Sequence, residues 1–164
     1  TGAPSGALWR SGRGRTLSTG FAYFETAGGK GVIGTGTTIQ EAFAQAALGL
    51  FALAVDPATV QERETRVVRA HGAEPSGLLV NWLNECLYVL DVEGFVARRV
   101  EFLTASLDAA ALGGEPLRLH CLLHGEEMDP ARHVSRESVG SIAEMGAAVT
   151  KGSGEFEARV IAQQ

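Results

Sequence analysis

Residues 75–94, PSGLLVNWLNECLYVLDVEG, form the most apolar segment of the chain. The segment predicts a helix from about Pro75 to Asp91, which Glu93 and Gly94 bring to an end. Its apolar residues recur at helical spacing and are Leu78, Leu79, Trp82, Leu83, Cys86, Leu87 and Leu90. We expect this segment to be the central helix of the core.

An earlier helix is predicted from Thr38 to about residue 54. Thr38 followed by Glu41 has the pattern of a capping box. Asp56-Pro57 ends the helix, because Pro disfavours helical backbone in the residue before it. The apolar face consists of Ile39, Ala42, Phe43, Ala46, Ala47, Leu50 and Phe51.

The rest of the chain has the alternating pattern of strands separated by turns. Strands are predicted at 20–25, 30–35, 62–70, 95–107 and 116–124, and two or three more end the chain. Turns are expected at 71–77 and 113–114, and 125–133 is expected to be a polar loop. Two helices among many hairpin-connected strands predict an α+β fold, with the helices packed on a largely antiparallel or mixed sheet.

Composition narrows the class of protein. The chain has 164 residues, of which 45% are hydrophobic and 20% charged, and it carries a net charge of −5. This balance predicts one soluble domain, and the acidic charge disfavours a broad nucleic-acid surface. Two cysteines and no apolar run of about 20 residues favour a cytoplasmic protein without a membrane span.

The chain divides into an N-terminal extension and one domain. Residues 1–17 are rich in Gly, Ser and Arg and are expected to be flexible, whereas 18–164 form the domain. The alternative is that Arg10, Arg13 and Arg15 form a basic arm for an acidic partner.

Residues 27–43, AGGKGVIGTGTTIQEAF, look like a nucleotide site because Gly29, Gly31 and Gly34 fit G-x-G-x-x-G. A dinucleotide fold requires alternating β-α-β units, but the downstream pattern here consists of hairpins. We therefore expect a glycine-rich hairpin that leads into a capped helix. Binding of a nucleotide or another small ligand by 28–36 stays the alternative.

Two clusters of polar residues are further candidates. His120, Cys121 and His124 resemble zinc ligands, but adjacent strand residues point to opposite faces, and His120 and His124 would lie about 13 Å apart. Glu126, Asp129 and His133 pair carboxylates with an imidazole, which is the chemistry of acid–base catalysis. Structural roles are expected for both clusters, and Cys86 is expected to be buried.

Residues 37–57, TTIQEAFAQAALGLFALAVDP, and 76–102, SGLLVNWLNECLYVLDVEGFVARRVEF, closely resemble the archease family. In that family a T-x-x-E-A-F helix precedes an L-L-V-x-W-L-N-E-L-L-Y helix, and GEEMDPARH at 125–133 matches its G-E-x-x-D-P-x-R-H loop. The resemblance covers roughly residues 20–164. It implies an archease-like α+β fold and a non-catalytic role. Archeases assist the tRNA-splicing RNA ligase by promoting its guanylylation and turnover.

The chain departs from the family where the family binds a divalent metal. The family's H-T-A-D-V-G precedes the first helix. Counting back from Phe43, its metal-binding Asp falls on Gly29 and its His on Thr26, and a one-residue shift puts the Asp on Gly28. The family's second Asp falls on Gln163. Hard cations require several anionic oxygens, so we expect no calcium or magnesium site at Gly29 and Gln163.

The family strand K-A-x-T-Y-H is replaced as well. It corresponds to GSIAEM at 140–145, so its Lys, Thr and His fall on Gly140, Ala143 and Met145. The resemblance therefore implies an inherited scaffold with altered functional positions.

These observations lead to three hypotheses. The first is a non-catalytic accessory protein that binds a protein partner, such as the RNA ligase, with Glu126, Asp129, Arg132 and His133 as candidate loop and partner residues. The second is a small-ligand protein or enzyme that uses 28–36. The third is the same scaffold serving an unrelated protein partner.

Overall fold

A computed structural model describes residues 19–107 and 114–164. The expected flexible segment 1–17 and Gly113 of the expected turn lie outside these residues. Within the described part, the chain forms two α-helices, seven strands and one short 3-10 helix, in the following order: β1 (Gly20–Thr26), β2 (Gly29–Gly36), α1 (Ile39–Ala54), a 3-10 turn (Pro57–Thr59), β3 (Glu64–Gly72), α2 (Pro75–Glu93), β4 (Phe95–Ser106), β5 (Leu117–Glu127), β6 (Ser141–Lys151) and β7 (Phe156–Gln163).

The strands form two sheets rather than the one that the sequence predicts. A four-stranded sheet has the order β1-β2-β7-β6, and a three-stranded sheet has the order β3-β5-β4. All strand pairs in the described part are antiparallel. The α+β class is therefore confirmed. The sequence pattern did not predict that the strands divide between two sheets.

Helix α1 begins and ends with contacts from outside its own sequence range. The Thr38 hydroxyl accepts the Glu41 N–H at 3.1 Å, as a capping box predicts. The Glu41 carboxylate accepts the N–H of Thr37 at 2.8 Å, one residue before the expected donor. At the other end, the N–H groups of Arg136 and Glu137 donate to the carbonyls of Ala54 and Leu53 at 2.8 and 2.9 Å.

Helix α2 spans the core and contacts both sheets, through β3 and β6. Trp82 is fully buried and stacks on Phe43 of α1, with ring centroids 6.0 Å apart, and it packs at 5.8 Å against Phe102 of β4. The predicted apolar faces of both helices are buried, except that Ile39 and Leu90 are half-buried. Neither helix of the described part is long and apolar enough to cross a membrane.

Two boundaries differ from the sequence-based expectation. Helix α2 continues to Glu93, and Gly94 ends it in the left-handed conformation with a φ of 64°. Strand β5 continues to Glu127, so Gly125 and Glu126 belong to a strand and not to the polar loop. Glu126 is paired in β5 with Val96, which is why its backbone is extended.

Candidate functional site

The glycine run of β2 serves close packing. Strand β2 lies between β1 and β7 and pairs with both, so its backbone groups are used in the sheet. A side chain at Gly34 would overlap the Ala42 carbonyl and the Ala46 nitrogen of α1. A phosphate-binding loop needs backbone N–H groups that point to a ligand, and this strand does not offer them. The predicted glycine-rich hairpin is thus confirmed.

The positions that correspond to the family metal site lie together at one end of the four-stranded sheet. Thr26 pairs with Gly29, and Gln163 pairs with Ser141. The Thr26 hydroxyl donates to the Gly29 carbonyl at 2.6 Å, and the Ser141 hydroxyl donates to the Gln163 side-chain oxygen at 3.1 Å. Gly140 donates its N–H to the Gln163 carbonyl at 2.7 Å.

The side chains at these positions do not suit a hard divalent cation as ligands. They are two hydroxyls and one neutral amide, whereas calcium and magnesium prefer carboxylates. Gly29 has a φ of 145°, and a Cβ there would overlap the Ala162 carbonyl, so this backbone leaves no room for an aspartate. Gly28 has space, with the nearest heavy atom at 3.9 Å, but has no side chain. Across residues 19–107 and 114–164, no three His, Cys, Asp or Glu side chains come together as a metal site.

A lysine lies next to this sheet end. Lys30 forms ion pairs with Glu25 at 3.1 Å and with Glu137 at 3.3 Å. The hydrogen bond that Lys30 donates to Glu25, with the one that it donates to Glu137, raises the pKa of Lys30. The carboxylates of Glu25 and Glu137 are therefore already paired with a protein cation.

The altered family strand corresponds to Gly140, which directly precedes β6, and to Ala143 and Met145 within β6. Ala143 pairs with Ile161 inside the sheet, whereas the register of β6 shifts between Ala143 and Ala148. Met145 lies in this irregular part and is 85% exposed. At these three positions, glycine, alanine and methionine offer no ionisable side chain.

Glu126 is the centre of a buried polar cluster, which we call the Glu126 cluster (Glu126, Arg132, His133 and the backbone N–H of Gln61). Arg132 donates to the Glu126 carboxylate at 2.6 Å, and the Gln61 N–H donates to it at 2.8 Å. His133 Nε2 lies 3.0 Å from the same carboxylate. Glu126 and His133 are 3% and 2% exposed.

The hydrogen bonds of His133 determine its tautomer. The Asp129 N–H donates to His133 Nδ1 at 2.8 Å, so Nδ1 is an acceptor and carries no proton. Nε2 therefore carries the proton and donates it to Glu126. Both ring nitrogens are used, and a proton-transfer partner from outside would have to displace one of these bonds.

Electrostatics keeps the Glu126 carboxylate ionised. The hydrogen bond from Arg132, helped by those from Gln61 and His133, lowers the pKa of Glu126 to about 2 against the opposing effect of burial. A carboxylate held in this way is a poor proton acceptor near neutral pH. The Glu126 cluster consequently fits a structural role better than acid–base catalysis.

Only half of the predicted loop residues reach the surface with their side chains. The side chains of Arg132 and Asp129 are 35% and 47% exposed and lie 3.6 Å apart, whereas those of Glu126 and His133 are buried. A partner that binds this loop would thus contact Asp129 and Arg132 together with the exposed Pro130 and Ala131.

The sheet geometry agrees with the expected separation of His120, Cys121 and His124, the residues that resemble zinc ligands. Cys121 points into the core, where burial raises its pKa to about 11. His124 lies on the outer face and is 2.8 Å from the Glu101 carboxylate. Cys86 is buried, as predicted.

A pocket of about 560 Å³ lies on the three-stranded sheet, and the sequence pattern does not predict it. Its lining includes Arg69, His71, Thr104, Arg118 and His120. Alternation along 116–124 could have shown that Arg118 and His120 lie on one face of their strand. The pairing of β3 with β5 could not be read from the pattern, since α2 and β4 separate the two strands in the chain.

Comparison with known proteins gives consistent results. A family model described as the Archease protein family (MTH1598/TM1083) matches residues 21–162. The curated "Protein archease" of Pyrococcus abyssi is 32% identical over 120 residues, which are 73% of this chain and 80% of that protein. The "Protein archease" of Thermococcus gammatolerans is 34% identical over the same shares. The solution structure of Methanobacterium thermoautotrophicum protein 1598 has a TM-score of 0.71 and 25% identity, over 88% of this chain and 99% of that one.

Proposed function

The chain belongs to the archease family, and from this premise we propose that it is a non-catalytic accessory protein of the cytoplasm that binds a protein partner. The partner we propose is an RNA ligase of tRNA splicing or RNA repair, the partner that the family resemblance implies. In this proposal the chain acts by contacting the ligase and does not itself bind nucleic acid strongly.

The observation that carries the proposal is the loop at 125–133, whose sequence matches the family and whose conformation the Glu126 cluster fixes. Arg132 donates one bond to Glu126 and another, at 3.3 Å, to the Thr59 carbonyl, and His133 is bonded at both ring nitrogens. A rigid loop loses little conformational entropy on binding. Because Arg132 and His133 are already hydrogen-bonded within the protein, the loop is better suited to binding a partner than to catalysis.

We also propose that partner binding does not depend on the family's divalent metal, because the side chains at the sheet end do not suit such an ion as ligands. Calcium or magnesium at millimolar concentration is expected to leave the melting temperature unchanged, and a chelator is expected to leave partner binding unchanged. A rise of several degrees with either ion would contradict this part of the proposal.

The test is affinity capture from the source cell with the full chain, followed by identification of captured proteins. Ala131→Arg adds a bulky charged side chain at the exposed tip of the loop and leaves the Glu126 cluster intact. Ala73→Arg is the matched control, since Ala73 is also exposed and follows β3 at the opposite end of the three-stranded sheet. We expect the wild type and Ala73→Arg to capture an RNA ligase and Ala131→Arg to lose it.

Two outcomes would contradict the proposal in different ways. Capture of an unrelated protein that Ala131→Arg abolishes would mean that the loop binds a partner other than the ligase. Ligase capture that both variants retain equally would mean that the loop is not the contact surface.

A further inference from the structure

We propose that the outer face of the three-stranded sheet binds a small phosphate monoester, with Arg69, His71, Arg118 and His120 as the binding residues. This inference is independent of the partner proposed above. It starts from the register of the strands, which brings these four residues together.

Two rows of hydrogen-bond donors cross the sheet. In the first row, Arg69 of β3 pairs with His120 of β5, which pairs with Thr104 of β4. In the second row, His71 pairs with Arg118, which pairs with Ser106. Paired residues share a face. The neighbouring inward-facing residues Ala70, Leu117 and Leu119 are buried, so the two rows face outward.

The arginines are positioned to act on one ligand. Directly opposite side chains have Cβ atoms about 5 Å apart, and diagonal ones about 7–8 Å apart. Arg69 and Arg118 are diagonal neighbours, because Arg69 is opposite His120 and Arg118 lies two residues before it. Two long guanidinium side chains at that spacing can reach a single anion from two sides.

These two arginines differ from the others of the described chain. Six arginines each lie within 4.0 Å of a carboxylate oxygen, and Arg98 donates to the Val60 carbonyl; the six are Arg63, Arg66, Arg99, Arg132, Arg136 and Arg159. Arg69 and Arg118 make no such contact with another described residue. Two guanidinium charges at diagonal positions repel one another, and a bound anion would reduce that repulsion.

The surroundings define the class of ligand. The pocket measures about 560 Å³, and the exposed Pro116 gives it an apolar side chain beside the basic groups. That volume is in the usual range for small-molecule sites. Two arginine forks and two hydroxyls suit the several oxygens of a phosphate, and the apolar lining suits an organic body. The geometry thus points to a monoester of nucleotide or sugar-phosphate size.

Glu101, a carboxylate in the row next to the pocket, is not part of its lining. Glu101 pairs with Leu122, one row away, and is bonded to His124 at 2.8 Å. Val67, Leu122 and Glu101 form the row next to the pocket, and the Glu101 carboxylate contacts His124 in the row beyond, on the side away from the pocket.

The test is to titrate the full chain with adenosine monophosphate and, separately, with glucose 6-phosphate. Calorimetry and the NMR shifts of the backbone amides measure binding. Adenosine and glucose are the matched probes for the organic part of each ligand, and inorganic phosphate is the probe for the phosphate part. We expect at least one monoester to bind and to shift amides of 69–71, 104–106 and 118–120. The phosphate-free compounds are expected not to bind, and inorganic phosphate is expected to bind more weakly than the ester.

The double variant Arg69→Gln/Arg118→Gln should weaken ester binding about tenfold or more, because it removes charge-assisted hydrogen bonds. Arg99→Gln, on the same sheet and outside the two rows, should change it less than about twofold. Circular dichroism will verify that both variants fold. No binding of either ester at millimolar concentration, equal losses in both variants, equal binding of inorganic phosphate and ester, or binding of polyanions such as heparin alone would each overturn the proposal.

Discussion

At the scale of single residues, Glu126 shows how a charge is kept inside the protein. Its carboxylate receives bonds from Arg132 on one oxygen and from Gln61 and His133 on the other. A buried carboxylate with donors on both oxygens is stable only while all of them remain. The same arrangement orients the loop that follows β5.

Glu126→Gln is expected to destabilise the protein by roughly 1–3 kcal/mol. A glutamine has one acceptor oxygen, so its NH₂ group would face a donor that now binds the carboxylate. Urea unfolding measures the change. Glu127→Gln is the control, because Glu127 is 64% exposed and its pair with Arg66 at 3.3 Å is worth little. Equal losses in the two variants would contradict the role of the Glu126 cluster.

The pH dependence of stability follows from the same residue. The pKa of Glu126 is lowered in the folded protein to about 2, so its ionised form contributes stability that is fully present above its ordinary pKa of about 4.5. That contribution is lost as the pH falls toward 2. Unfolding at several pH values should therefore show the wild type losing its advantage over Glu126→Gln in this window. A constant difference down to pH 2 would argue against the lowered pKa.

At the scale of elements, β2 and α1 approach closely because β2 carries glycine where the helix crosses it. Gly34 faces Ala42 and Ala46, and Gly36 faces Glu41 and Ala42. Small residues on both sides bring the two backbones together. The glycine pattern that resembled a nucleotide loop is thus explained by packing.

Gly34→Ala is expected to cost about 1–3 kcal/mol, since the new methyl group would overlap helix backbone that cannot move separately. Gly77→Ala is the matched control. Gly77 lies in α2, and the space that a methyl group would fill there is open, so alanine should stabilise the helix by up to about 1 kcal/mol. Thermal or urea unfolding compares the two variants. A neutral Gly34→Ala would mean that the strand and helix separate more easily than the structure indicates.

At the scale of the whole molecule, Trp82 links the two sheets. It lies on α2, stacks on Phe43 beside the four-stranded sheet and packs against Phe102 of the three-stranded sheet. The two sheets share one hydrophobic core, so we expect them to unfold together.

Trp82→Ala is expected to destabilise the whole protein by about 3–5 kcal/mol, because it leaves a large cavity at the junction. Tyr88→Ala, on the same helix and 54% exposed, should cost far less. Denaturation followed by circular dichroism should show one transition for each protein. Two separate transitions in the wild type would contradict a shared core.

Much of this architecture could be predicted from the sequence, because helical spacing and capping act locally. The limits of α1, the core face of α2 and the left-handed Gly94 all follow from neighbouring residues. Pairing between distant strands could not be predicted in this way. The division into two sheets and the rows containing Arg69 and Arg118 depend on such pairing. The burial of Glu126 also depends on Gln61, which lies 65 residues earlier.

The pairing of β2 with β7 has a consequence for synthesis on the ribosome. Strand β2 is made early, yet one of its two neighbours is β7, and the last turn of α1 is closed by Arg136 and Glu137. Folding of the emerging chain must therefore wait for residues 156–163, and until then the apolar side of β2 is a surface that chaperones would recognise.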